Sequence, residues 1–237
     1  MIIRYISLVF FVSLSFTGLG QNQSNKVAVS GALSNVMKKG DLQSTILLDT
    51  ISNKQNLYGL GPKHHLTGEL LIMDGEAYVT SIDENGAMKM ENTFQVKAPF
   101  FVYTNVEEWE SHQLPKNITS FKELEKYLHQ KSKEYDKPFA FKLQGDFSKI
   151  QFHIQNLPKG TIVKSHKDAH QGQKKYSRDN INGDLIGFFS TQHQSVFTHH
   201  DQFIHIHFIN QERTEMGHVD DLLFSKTDEI TIFLPKK

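Results

Sequence analysis

Residues 202–224 read QFIHIHFINQERTEMGHVDDLLF. The β-branched and aromatic residues of QFIHIHFI demand a strand, whose period of two puts His205 and His207 on one face and Ile204, Ile206 and Phe208 on the other. If the chain turns through Gln211 to Thr214 and returns antiparallel, the simplest register pairs His207 with His218 and His205 with Asp220. Three imidazoles then share one face. Cross-strand neighbours there lie about 4.5–5.5 Å apart at Cβ, within reach of one ion bound at about 2.0–2.1 Å. Gly217 beside His218 permits close backbone approach or a bulge.

Three neutral nitrogen donors suit zinc, with nickel, copper or iron also compatible with the ligand type. Three protein ligands leave a coordination position open, as catalytic zinc sites do and closed structural sites do not. Asp220 is either an outer acceptor that orients His205 or a solvated strand carboxylate. The competing reading of the whole pattern is three exposed histidines on a surface hairpin.

On either side of this stretch, GDLIGFFST (183–191) and EITIFLPK (229–236) read as further strands. Upstream, FAFKL (139–143) leads to a turn at Gln144-Gly145-Asp146 and then to FSKIQFHIQNL (147–157). There Ile150, Phe152 and Ile154 alternate with Gln151, His153 and Gln155, a buried face against a polar one. The polar segment 164–182 reads as an exposed loop. Ser120 and Glu123 have capping-box spacing and open a helix carrying Phe121, Leu124 and Leu128, which ends near Tyr135.

GELLIMDGEAYVTSIDENGAMKM (68–90) carries Asp74-Gly75 and Asn85-Gly86, turn pairs that fold it into a three-stranded meander, and APFFVYTNV (98–106) adds a strand. GALSNVMKKG (31–40) reads as a short helix closed by Gly40, and STILLDTI (44–51) as a second helix. The fold class is therefore mixed α+β with largely antiparallel sheets and few helices. We expect two subdomains sharing strands, about 21–140 and 141–237, the second carrying the metal site on its hairpin.

The start, MIIRYISLVFFVSLSFTGLGQ, has one positive charge at Arg4, an apolar run from Tyr5 to Phe16, and then Gly18 and Gly20. That is the layout of a secretory signal peptide, with cleavage expected near Gly20 and export of a soluble protein. The run is too short for a spanning helix, which needs about 20 residues, so no membrane partner is expected. The sequence has no cysteine, which excludes disulfides, thiolate zinc ligands and a lipidated N-terminal cysteine. Lys+Arg and Asp+Glu balance at 26 each, leaving no net field to attract nucleic acid. Of thirteen histidines, His193, His199 and His200 read as residues of a solvated loop.

HIHFINQERTEMGHVDDL (205–222) resembles the metal-binding hairpin of bacterial α-acetolactate decarboxylases, a His-x-His pair followed by a polar loop and Gly-His-Val. GLGPKHHLTGELLIMDGEAYV (59–79) is similar to that family's glycine-rich lead-in to a Gly-Glu strand, and KLQGDFSKIQ (142–151) and GDLIGFFS (183–190) fall in the right order. The resemblance implies a two-domain fold, dimers, and a zinc ion on His205, His207 and His218. The reaction implied is non-oxidative decarboxylation of 2-acetolactate, a 2-hydroxy-3-keto acid, to acetoin, with zinc as the electron sink.

By the same resemblance Glu69 is the active-site glutamate, expected to handle a proton, and Asp221 matches an aspartate after the third ligand. Three departures stand beside these matches. The family's arginine position falls on His153, a lead-in threonine is Pro62, and no counterpart of the acidic C-terminal tail follows FLPKK. His153 is a substitute for the arginine, a further metal ligand, or a strand residue without a role. A metal enzyme with a changed substrate and a non-catalytic metal- or ligand-binding domain remain as alternatives.

Overall fold

The protein is described by a computed structural model covering residues 25–135 and 138–237, so the expected signal peptide lies outside the described residues. In chain order come β1 (Ala28–Gly31), α1 (Leu33–Lys39), β2 (Ile46–Leu47), β3 (Leu57–Pro62), β4 (Glu69–Met73), β5 (Glu76–Ile82) and β6 (Met88–Asn92). β7 (Lys97–Ala98), β8 (Phe100–Asn105) and β9 (Trp109–Gln113) precede helix α2 (Phe121–Lys131). Then follow β10 (Phe139–Ile154), α3 (His166–Ala169), β11 (Lys174–Phe189), β12 (Ile204–Asn210), β13 (Met216–Leu223) and β14 (Ile230–Pro235).

The expected meander forms as β4, β5 and β6, in a six-stranded sheet of order β1-β8-β3-β4-β5-β6. Asp74 and Gly75 both take positive φ, as a tight hairpin turn requires. Alternation then sorts the side chains. Leu70, Ile72, Val79 and Phe101 join one apolar cluster with Leu48 and Ile51. Leu71, Tyr78 and Val102 turn to the other face and meet Ile186, Phe188, Ile209 and Met216 of a second sheet.

That second sheet has the order β11-β12-β13-β10-β14-β9, with an additional β11–β10 pairing. β10, β11, β12 and β13 therefore close into a four-stranded ring in which every neighbour is antiparallel. Phe147, Phe152, Ile206, Phe208 and Val219 share one buried cluster with Leu124 and Leu128 of α2. The helix starts as expected: Ser120 Oγ accepts from the Glu123 N–H, and the Glu123 carboxylate accepts from the Thr119 N–H and the Ser120 hydroxyl.

Three expectations change. The segment at Gln144-Gly145-Asp146 is not a turn, because β10 keeps its register with β11 straight through Gln144↔Asp184, Gly145↔Gly183 and Asp146↔Asn182. What changes there is the other neighbour: β14 pairs with Lys142–Gly145 and β13 takes over from Lys149. Ser148, in the gap, donates from its N–H and its hydroxyl to the Asp228 carboxylate, each at 3.0 Å. STILLDTI forms β2 and a 3-10 turn over Leu48–Thr50 rather than a helix; Leu48 is drawn into the core and the Leu48 N–H donates to the Val96 carbonyl. The polar segment 164–182 holds α3 and the first half of β11, since a strand facing solvent needs a hydrogen-bonding partner and not an apolar side chain.

Candidate functional site

β12 presents His205, His207 and Ile209 toward the first sheet, while Ile204, Ile206 and Phe208 face the ring's own core. His207 pairs with His218 as the hairpin register predicts. On its other edge His218 pairs with His153 of β10, so three adjacent strands set His207, His218 and His153 in one row. Gly217 makes this close stacking feasible: a Cβ there would stand 2.5 Å from the His153 carbonyl oxygen. His205 Nε2 lies 3.0 Å from His218 Nδ1, and the ligating atoms of His205, His207 and His218 are all within 4.8 Å of one another.

The first sheet closes the group from the opposite side. Gly68 has no room for a side chain, since a Cβ would meet the Thr80 carbonyl oxygen at 2.0 Å, and the next residue, Glu69, is 2% exposed. Its Oε2 is 3.6 Å from His207 Nε2, and its Oε1 is 4.0 Å from His153 Nε2. Oε1 also accepts the Gln155 backbone N–H at 3.1 Å. His153, at 5% exposed, does not face solvent as half of a polar strand face would.

Two residues have parts that the sequence did not assign. Gln155 is buried, and its side-chain amide stands 3.4 Å from His153 Nε2. The i, i+2 argument that couples His205 to His207 couples His153 to Gln155 equally well, and that was the available signal. Asp220 does not pair with His205. The β10–β13 register shifts between Gln151 and Phe152, from Asp221 to Val219, leaving Asp220 as the extra residue of a bulge. Its carboxylate accepts from His153 Nδ1 at 2.7 Å. Asp221 is exposed and its carboxylate accepts from the Leu222 N–H. His64 bonds to Ser44, and neither it nor His65 lines the cavity described next.

That cavity, about 260 Å³, carries Glu69, His153, His205 and His218 on its polar wall and Phe100 and Met37 among its apolar residues. Its size is near the small end of ligand pockets, roughly 300–1,000 Å³. Burial holds the His205 imidazole down to about 3, and pushes His207 and His218 well below the usual histidine value. Burial drives Glu69 the other way, well above the ordinary glutamate value; the Gln155 N–H opposes this and the Asp220 charge adds to it. The pocket thus holds neutral imidazoles beside a carboxyl that keeps its proton unusually well.

Among the described residues, fully buried His207 Nε2 has no hydrogen-bond partner, an unsatisfied state that folded proteins rarely leave in place. Lone pairs of three neutral imidazoles converging on one volume fit a divalent transition metal. Together the fold and the pocket define a class, a two-sheet β protein whose sheets meet at a three-histidine group able to hold one metal ion beside a protonatable carboxyl.

Comparison with known proteins narrows the class. A family model described as alpha-acetolactate decarboxylase matches residues 29–233, and the chain belongs to that family. It is 28% identical over 195 residues to the alpha-acetolactate decarboxylase of Brevibacillus brevis, and 28% identical over 174 residues to that of Methanosarcina mazei. These alignments cover 82% and 72% of this chain but only 65% and 57% of the relatives' lengths. The crystal structure of alpha-acetolactate decarboxylase from Bacillus subtilis strain 168 superposes with a TM-score of 0.71 at 21% identity, over 89% of this chain and 86% of that one. This likeness identifies the fold.

Proposed function

We propose that the protein is a metal-dependent carboxy-lyase that converts 2-acetolactate, or a closely related 2-hydroxy-3-keto acid, to acetoin and CO2. The observation that carries the reading is the meeting of Glu69 from one sheet with His205, His207 and His218 from the other, at the wall of a small cavity that Glu69, His205 and His218 line. In this reaction the bond from the carboxyl carbon to C2 breaks, its electron pair moves toward the neighbouring ketone, and C2 takes a proton. A divalent ion on the three histidines, zinc by the donor set, supplies Lewis acidity for that electron pair.

The chain's own groups supply the rest. Glu69, holding its proton through burial, is the donor to C2. A carboxylate has no proton to give, so Asp220 accepts from His153 Nδ1–H and fixes the ring with Nε2 toward Glu69. His153 therefore offers the substrate one polar atom where an arginine would offer a planar fork. That difference favours a second reading, in which the acid handled is a relative of acetolactate that needs no planar cationic fork at this position. Export is inferred as well, from the layout of residues 1–20.

The test is acetoin release from racemic 2-acetolactate by zinc-loaded protein, with His207→Ala as control. The wild type turns over and the variant loses both metal and activity. Metal-loaded protein that releases CO2 from a homologous acid but not from acetolactate selects the second reading. No turnover of either acid overturns both.

A further inference from the structure

Two of the histidines read from the sequence as solvated, His199 and His200, come together with His166 of the polar segment 164–182, whereas His193 bonds Ser190. We propose that His166, His199 and His200 form a second divalent transition-metal site at the rim of the cavity, separate from the three-histidine group below. Their ligating atoms lie within 4.8 Å of one another. The ring centroids are 5.4 Å apart for His166 and His199, 5.8 Å for His166 and His200, and 4.5 Å for His199 and His200. The donor set is the same as the inner one, three imidazoles, and suits the same borderline cations.

Both supporting segments are held in place. His166 is the first residue of α3, whose start is fixed by reciprocal capping: Ser165 Oγ accepts from the Asp168 N–H, and the Asp168 carboxylate accepts from the Ser165 hydroxyl and the Lys164 N–H. Ala169 anchors α3 in an apolar cluster with Val36 and Leu157. On the other segment, the Thr198 hydroxyl donates to the His193 carbonyl and the Gln194 amide to the His200 carbonyl, which braces the turn from within. Asp201 accepts from His199 Nδ1 at 2.5 Å. A carboxylate behind one ring nitrogen leaves the other nitrogen free to ligate and fixes its direction, the usual outer support of a metal-bound histidine.

The two segments flank the cavity, which His170 lines from one side and His199 and Asp201 from the other. An ion on the rim cluster therefore ties them together across its edge. The inner ligands sit on paired, buried strands and the outer ones on a one-turn helix and a partly exposed turn, so the rim site is the weaker and faster-exchanging of the two.

The proposal does not depend on the reaction assigned above, and metal counting tests it without substrate. Untagged protein is stripped with chelator and titrated with Zn²⁺ by calorimetry. Wild type takes up two ions per chain, His166→Ala/His200→Ala one, and His207→Ala one. The exposed His200→Ala alone weakens the second step at least tenfold and leaves the first unchanged, which guards against a misfolded double variant. Equal stoichiometry in wild type and the double variant overturns the proposal, as does loss of both ions from it.

Discussion

At the scale of single residues the site turns on how burial treats opposite charges. Glu69 binds its proton more tightly in the folded chain than in the unfolded one. Between the ordinary glutamate value and the raised one, the folded state holds the extra proton, so stability falls as pH rises through that window and then levels off. For one group the slope is about 1.4 kcal/mol per pH unit. Glu69→Gln removes it while keeping an acceptor for the Gln155 N–H. In metal-free protein, urea unfolding from pH 5 to pH 8 should show the variant gaining on wild type as pH rises, while kcat falls about 10²–10⁴-fold through loss of the proton donor. Parallel stability curves would place the proton elsewhere. The gathering of His205, His207 and His218 was legible in the sequence through spacing, and the resemblance named Glu69, which the structure sets beside them. The pairing of Asp220 with His205 fails because one extra residue in a bulge moves its exposed carboxylate to a different neighbour, and no spacing rule reports that.

At the scale of elements, the histidine group depends on how closely β13 approaches β10. Gly217→Ala drives a methyl against the His153 carbonyl oxygen and the Phe152 ring, 2.5 and 2.6 Å away. We expect a loss of about 1–3 kcal/mol from overpacking and metal binding weakened roughly 10–100-fold, as when an outer support of a ligand is removed. Ser120→Ala, which removes the α2 cap, should cost about 1 kcal/mol and leave metal binding unchanged. Denaturant unfolding beside a zinc competition titration separates the two, and equal metal affinity in both variants would refute the role given to the close approach. Turn chemistry made the β4–β6 meander legible, and capping made α2 legible. The polar start of β11 was missed because residues 174–182 have no apolar period to read. The continuity of β10 was missed because Gly145 and Asp146 carry the composition of a turn while remaining paired.

At the scale of the molecule, the site exists only where two sheets dock. The sole tryptophan reports on that docking: Trp109 of β9 donates from Nε1 to the Tyr58 hydroxyl of β3 at 3.1 Å, edge-on at 5.0 Å between ring centroids. Removing metal with chelator should lower the melting temperature, and metal at about a hundred times its Kd should restore roughly 2.7 kcal/mol. In both states the tryptophan emission and far-UV dichroism transitions should coincide, whereas an earlier tryptophan transition would mean that the sheets part before either unfolds. The ring of β10 to β13 bears on error as well as on stability. Sliding β12 by one residue would turn His205 and His207 away from the first sheet. At the edge of an open sheet such a slip is a local mistake at one border. In a closed circuit it needs a matching displacement at both borders of the strand, against β11 and β13 together, so the histidine alignment is proofread by the topology that carries it.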